Sequence, residues 1–283
     1  MSTALTLSTF TAPVRPLKIP LPVDAPEGGW TWPPTSVTLI AGEHDAVLVD
    51  TVPTIEDSKR LADWIERTGK RLTAIYITHG HIDHYFGTAT LLERFPDAKV
   101  VSTEATARFI AEEKATGRDR ATYAAFFIDE IGSKVIVPEP LADHRIDLEG
   151  HELIAVPAGQ SDLSESSYLW VPELAAAIVG DIAYNDVHPI LADSDHGTRQ
   201  AWIQTLKEIQ SRKPEIVIAA HRREDAIDDA GPLADTIAYV ELADRLLADG
   251  PSAAQFIARM VEANPTRANV TTVVFGAAML GLQ

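Results

Sequence analysis

The sequence predicts a layered α/β fold, and three features carry that expectation. Through residues 36–114, short β-branched runs alternate with stretches of helical periodicity. From 134 to 179, four strand-like runs follow one another as consecutive hairpins would. A further helical stretch then precedes one more apolar strand, and strands and helices mixed in this way pack as helices layered on sheets.

Taken in order, residues 1–34 are rich in Pro, Thr and Gly, with prolines at 13, 16, 20, 22 and 26, and read as an extended arm. Strands at 36–40 and 46–50 flank the turn signal Gly42-Glu43-His44-Asp45. Ile55, Leu61, Ala62, Trp64 and Ile65 recur at helical spacing and predict a helix over 54–68. A strand at 72–78 runs straight into a histidine-rich segment. A helix over 87–94, a strand at 99–102 and a helix over 104–114 continue the alternation. Strands are expected at 134–137, 152–156, 167–171 and 176–179, then a helix over 198–211 and a buried strand at 216–219 that ends at His221. Two helices, 233–248 and 253–263, occupy the tail. Their apolar stripes need a surface to cover. Packing on the same domain, a cap over a pocket and a dimer contact are the three ways to provide one. The expected organisation is therefore an arm at 1–34, a catalytic domain at 35–230 and a helical extension at 231–283.

Composition narrows the functions open to this chain. With 41 acidic against 24 basic side chains the formal net charge is -17, which repels phosphate backbones and argues against a nucleic-acid partner. Cysteine is absent, so thiolate ligands, disulfides and a cysteine nucleophile are all excluded. No apolar run approaches the ~20 residues needed to span a bilayer, so no membrane association is expected. The first thirty residues lack a basic start followed by an apolar block, and a cytoplasmic location is the expectation.

The chemistry lies in His79-Gly80-His81-Ile82-Asp83-His84. In an extended segment residues two apart point to the same side, so His79 and His81 present two imidazoles to one point where a strand ends. Asp83 and His84 follow at a helix entry, where a different backbone conformation aims them at a second point nearby. Three imidazoles and a carboxylate at this spacing suit Zn²⁺ or another borderline divalent ion.

This run matches in full the His-x-His-x-Asp-His pattern of the metallo-β-lactamase superfamily, which the chain resembles over most of 36–225. The resemblance implies a four-layer αββα sandwich with metals at one edge of its two sheets. It also implies later ligands: Asp181, in Gly180-Asp181 after the run 175–179, as the carboxylate bridging two metals, and His221 as the last histidine. Asp50, closing Val47-Leu48-Val49, corresponds to the aspartate that buttresses the histidine loop. One position departs from the family. Where a histidine is usual, within a Pro-Gly-His-Thr-like segment, this chain has Pro157-Ala158-Gly159-Gln160-Ser161-Asp162. Gln160 either offers its amide oxygen to a metal, as a neutral and poorer zinc ligand than imidazole, or only hydrogen-bonds a bound water. The implied first site thus keeps His79, His81 and a share of Asp181, with Gln160 in question. The second, of Asp83, His84, His221 and Asp181, is complete. One or two zinc ions per chain are expected, and Asp162 is close enough in sequence to repair the first site.

The resemblance further implies a zinc-dependent hydrolase that uses a metal-bound hydroxide to cleave a carbonyl substrate, a small-molecule lactone, other ester or amide, with lactone or ester ahead of β-lactam. It gives Asp83 the orientation of the nucleophile and proton transfer to the leaving group. Tyr184, three residues after Asp181, matches a tyrosine of lactone-cleaving members that donates to the substrate carbonyl. His188 belongs either to the pocket mouth or to an exposed loop, and Tyr85 and Phe86 are candidates for an apolar pocket wall. Trp170 and Trp202 fit core positions. Two other occupations of the fold are carried as alternatives, an iron-dependent sulfur dioxygenase and a glyoxalase-like thioester hydrolase. A homodimer is among the expected partners.

Overall fold

The computed structural model describes residues 4–17 and 29–282. Those parts of the N-terminal arm that fall on 1–3 and 18–28 lie outside the described residues. A six-stranded sheet runs in the order β1 (Thr6–Thr11), β4 (Ser36–Ala41), β5 (Asp45–Val49), β6 (Arg71–Ile77), β7 (Lys99–Ser102) and β8 (Glu139–Pro140). A small ribbon pairs β2 (Arg15–Pro16) with β3 (Thr31–Trp32). The second sheet has five strands in the order β13 (Ile216–Ala219), β12 (Ala176–Gly180), β11 (Ser166–Val171), β10 (His151–Gly159) and β9 (Arg145–Leu148).

Period-2 alternation makes four layers from these two sheets. In β5, Val47 and Val49 enter the core between the sheets, while Ala46 and Leu48 face the helices outside. In β6, Ala74 and Tyr76 point inward and Ile75 and Ile77 outward. The second sheet repeats the scheme, with Ala176 and Ile178 of β12 between the sheets and Ala177 and Val179 against helices on the far side. Strands apolar on both faces are what a sheet covered on both sides requires.

Helices α1 (Ile55–Arg67), α2 (Ile82–Tyr85), α3 (Thr88–Arg94), α4 (Glu104–Thr116) and α5 (Arg118–Phe126) follow strands of the first sheet. Thr54 caps α1 by accepting from the Asp57 amide, and Leu61, Ala62 and Ile65 supply its buried stripe. Helices α6 (His196–Ser211), α7 (Gly231–Ala248), α8 (Ala253–Ala263) and α9 (Val270–Met279) lie with the second sheet. Their core centres on Trp202, whose indole nitrogen donates to the Ile182 carbonyl at 2.8 Å. Trp170 is only half-buried and packs against the same core.

Several expectations change. The arm is not merely extended: its β1 pairs antiparallel with β4 and forms the edge of the first sheet. Residues 134–137 form no strand. Their β-branched side chains pack against the first core, and the ladder is taken up only after Pro138, which lacks the amide it needs. Tyr85 and Phe86 are buried in the core of the first sheet and do not line the central cavity. His188 is not a loop histidine at the surface. It is fully buried, its Nδ1 lies 3.2 Å from the Tyr239 hydroxyl, and burial, helped by nearby Arg267, pushes its pKa down to about 4. The tail helices pack on the domain, and α9 also reaches the cavity described below. Among the described residues no helix is long and apolar enough to cross a membrane.

Candidate metal centre

The loop after β6 is set by Asp50, which ends β5 in a left-handed conformation (φ 64°). Its Oδ1 accepts from the Thr78 amide and its Oδ2 from the Thr78 hydroxyl, each at 2.8 Å. The same Oδ2 lies 3.0 Å from His84 Nδ1. The Thr78 hydroxyl has one proton, used on Asp50, so at 3.0 Å from His79 Nδ1 it accepts, and His79 turns a proton-free Nε2 inward. His221 is fixed likewise, its Nδ1 donating to the Pro34 carbonyl at 3.0 Å. Carboxylate, hydroxyl and carbonyl partners on the outer nitrogens thus aim three Nε2 atoms at one place, as metal-binding histidines require.

Asp181 follows the register shift between Ile178 and Gly180 in the β12–β13 ladder. Gly180 has φ 53°, and a Cβ there would stand 2.6 Å from Thr78 Oγ1, so the chain passes the histidine loop only as glycine. The Asp181 carboxylate consequently lies between the groups: 3.9 Å from His79 Nε2, 3.4 Å from His84 Nε2 and 3.2 Å from His221 Nε2.

Among the described residues, three groups of potential ligand atoms each lie within 4.8 Å of one another. Asp50 with His79 and His84 is the buttress already described; the other two are a first set of His79, His81, Asp162 and Asp181 and a second of Asp83, His84 and His221. Gln160 is half-buried, donates from Nε2 to the Ser161 carbonyl at 2.9 Å, and does not line the cavity described below. Asp162, two residues on, is the carboxylate that joins His79, His81 and Asp181. It is buried, its Oδ1 accepts from Ser161 Oγ at 2.8 Å, and its Oδ2 stands 3.1 Å from His81 Nδ1. The β10–β11 register shifts between Pro157 and Gly159, at the strand end from which the loop carrying Asp162 leaves.

The donors fit divalent cations. Asp83 Oδ2, His84 Nε2 and Asp181 Oδ1 are buried without hydrogen-bond partners, which native structures rarely tolerate unless something else satisfies them. They face one another across 3.4–3.6 Å, too open for good hydrogen bonds. Without an ion the charges compensate internally. Despite the cost of burial, the surrounding carboxylates, chiefly Asp181, raise His221 to about 10 and hold His84 well above the ordinary imidazole value. Asp162 raises His81 to about 9 against the same burial cost. His79, desolvated and beside His84, is lowered to about 3 and stays neutral.

Two tyrosines complete the centre. The single proton of Tyr184 Oη is shared between Asp181 Oδ2 at 3.1 Å and Asp162 Oδ2 at 3.3 Å, and its ring stacks on His221 at 22°. Tyr123 was not singled out in the sequence. Its hydroxyl donates to Asp83 Oδ1 at 3.0 Å from α5, within a cluster of Trp32, Phe126 and Phe127. One oxygen of Asp83 is thereby engaged and the other left free. No local pattern marks Tyr123, since α5 itself lacks a clear apolar stripe. Above the ligands opens a cavity of about 510 Å³ that His81, Asp83, Asp162, Asp181, Tyr184 and His221 floor.

The sequence profile of the metallo-beta-lactamase superfamily matches residues 30–221. Over 76 residues the chain is 36% identical to a hydroxyacylglutathione hydrolase of Parasynechococcus marenigrum (strain WH8102), a stretch covering 27% of this chain and 26% of that protein. The match thus spans about a quarter of that relative's length. A metallo-beta-lactamase family protein from Thermus thermophilus superposes with a TM-score of 0.62 at 17% identity, over 98% of this chain and 94% of that one. A metallo-beta-lactamase from Pontibacter korlensis gives 0.60 at 19% identity, over 84% and 99% respectively. At such identities these two likenesses establish the fold alone. With the profile covering about two thirds of the chain, including the histidine loop, Asp181 and His221, this protein belongs to the metallo-β-lactamase superfamily.

Proposed function

We propose that this member is a binuclear zinc hydrolase that cleaves a lactone or another ester. The observation that carries the reading is the pair of adjoining ligand sets at the floor of one cavity, with Asp181 of the first set also 3.4 Å from His84 and 3.2 Å from His221 of the second. His79, His81 and Asp162 would hold one ion, and Asp83, His84 and His221 the other, with Asp181 between them. When bound, such ions supply Lewis acidity and make a coordinated water acidic enough to ionise near neutrality.

The chain's own groups supply the remainder. Asp83, anchored through Oδ1 by Tyr123, would turn Oδ2 toward the second ion, where a lone pair left over can accept from a neighbouring water and so orient it. The Tyr184 phenol is held well above its ordinary pKa, first by burial and then by Asp162 and Asp181. It therefore remains a donor at neutral pH and can stabilise charge on a carbonyl oxygen beside Asp181.

One observation favours a second reading. Asp162 restores to the first set the two-histidine, carboxylate composition that also suits non-haem iron, so the sulfur dioxygenase alternative regains its donors. Metal analysis of protein purified without added metal, combined with acid release from a panel of lactones and esters, separates the two. Zinc with chelator-sensitive hydrolysis supports the proposal. Iron with thiol-dependent oxygen uptake replaces it, and no hydrolysis of any ester by zinc-loaded protein refutes it.

A further inference from the structure

The walls and mouth of the cavity differ in character from its floor. Trp32 from β3, Phe109 from α4, Leu163, Ile190, and Phe275 and Met279 from α9 present apolar surface. Gly80 fixes one of these: a Cβ there would stand 2.2 Å from Phe109 Cδ1, so the ring rests directly on the histidine loop. A pocket of this size holds a ligand of several ring or chain atoms beyond the reacting carbonyl. Its mouth carries little positive charge. Arg118 is the single Lys or Arg among the described residues lining the cavity, and its Nε already donates to Asp119 Oδ1 at 2.8 Å. Asp193 adds an exposed carboxylate on the same lining, so Arg118, Asp119 and Asp193 together sum to a negative mouth on a chain of net charge -17. An entering carboxylate would meet like charge and find no unpaired cation to receive it.

We infer that the substrate is an uncharged ester whose acyl or alkyl group is an apolar chain or ring, and that anionic substrates, including thioesters of carboxylate-bearing thiols, are excluded at the mouth. This rests on the proposed hydrolase only for the scissile bond. The apolar walls select the group attached to it, and Asp119 and Asp193 select against charge.

The test separates binding from turnover. Uncharged, hydrolysis-resistant carboxamides from butanoyl to decanoyl are titrated calorimetrically into the zinc-loaded full chain, beside a matched series with a terminal carboxylate. Affinity should tighten by up to about fourfold per methylene in the neutral series, and the carboxylate series should bind at least about tenfold more weakly. Phe275→Ser should flatten the chain-length dependence, and Asp193→Lys should narrow the gap between the two series. Affinity independent of chain length, or equal affinity for both series, overturns the inference. Chain-length-dependent binding without hydrolysis of the matching esters would leave it standing while removing the hydrolase reading. Hydrolysis without chain-length dependence would do the reverse.

Discussion

Replacing Asp162 by asparagine should strip the first set of its ion, whereas replacing Gln160 by alanine should leave it loaded. The asparagine keeps the shape of the side chain, but its one carbonyl oxygen can replace either the acceptor of Ser161 Oγ or that of Tyr184 Oη and not both, so the change removes the charge and one acceptor. The ligand atoms of this set lie within 4.8 Å of one another. At that range a unit charge and a carboxylate attract by about 4 kcal/mol at the effective dielectric of a protein site. Easier desolvation of the amide and its remaining oxygen donor offset part of this. The expected net loss is about 3 kcal/mol, on the order of a hundredfold in first-set affinity. Gln160→Ala removes only a half-buried contact to the Ser161 carbonyl, for which a change within about 0.5 kcal/mol is expected. Competition against a chromophoric chelator reads both affinities, and metal analysis gives the ions per chain. An ion lost in Gln160→Ala and retained in Asp162→Asn would refute the reasoning.

Four further outcomes follow from the structure. Tyr123→Phe deletes a charge-assisted hydrogen bond to Asp83 Oδ1, worth about 1.5–3 kcal/mol, and should weaken the second set by roughly ten- to a hundredfold while thermal unfolding moves little; unchanged affinity would remove Tyr123 from the centre. Loading the metal-free protein at pH 7 should release protons from His81, His84 and His221, which are all held protonated, so apparent affinity rises with pH at least until about 9 to 10, where His81 and His221 lose their protons unaided. Calorimetry in buffers of different ionisation enthalpy would show no buffer dependence if this is wrong. For the same reason the metal-free fold gains stability from these imidazoles below their ordinary pKa of 6.5 and loses it as pH rises through about 9 and 10, which urea unfolding in chelator would register. Trp202→Ala, at the centre of the second core and bonded to the Ile182 carbonyl, should cost about 3–5 kcal/mol in denaturant unfolding.

Much of this protein was legible without coordinates, because local patterns have local causes. The strand at 216–219 and the helix at 253–263 have the bounds that β-branched runs and helical periodicity give them. His79, His81, Asp83 and His84 could be read together because a strand end followed at once by a helical turn converges neighbouring residues, whatever surrounds them. By contrast α9, whose segment Val270–Met279 is rich in β-branched residues, looks unlike a helix; it forms one because Val273 and Ala277 are buried against the second core.

What only the tertiary structure decided was which residues separated in sequence share a neighbourhood. Asp162 joins the first set from the loop that follows the bulge at the end of β10, a placement that spacing cannot see. Tyr123 reaches Asp83 from a helix 40 positions away, and the Pro34 carbonyl fixes the tautomer of a histidine 187 positions on. The sequence by itself determined the chemistry available, imidazole and carboxylate without thiol, and the loop that presents most of it. Packing of one sheet edge against the other determined which carboxylate completes the set, because contacts across two sheets depend on bulges and side-chain volumes summed over the whole core.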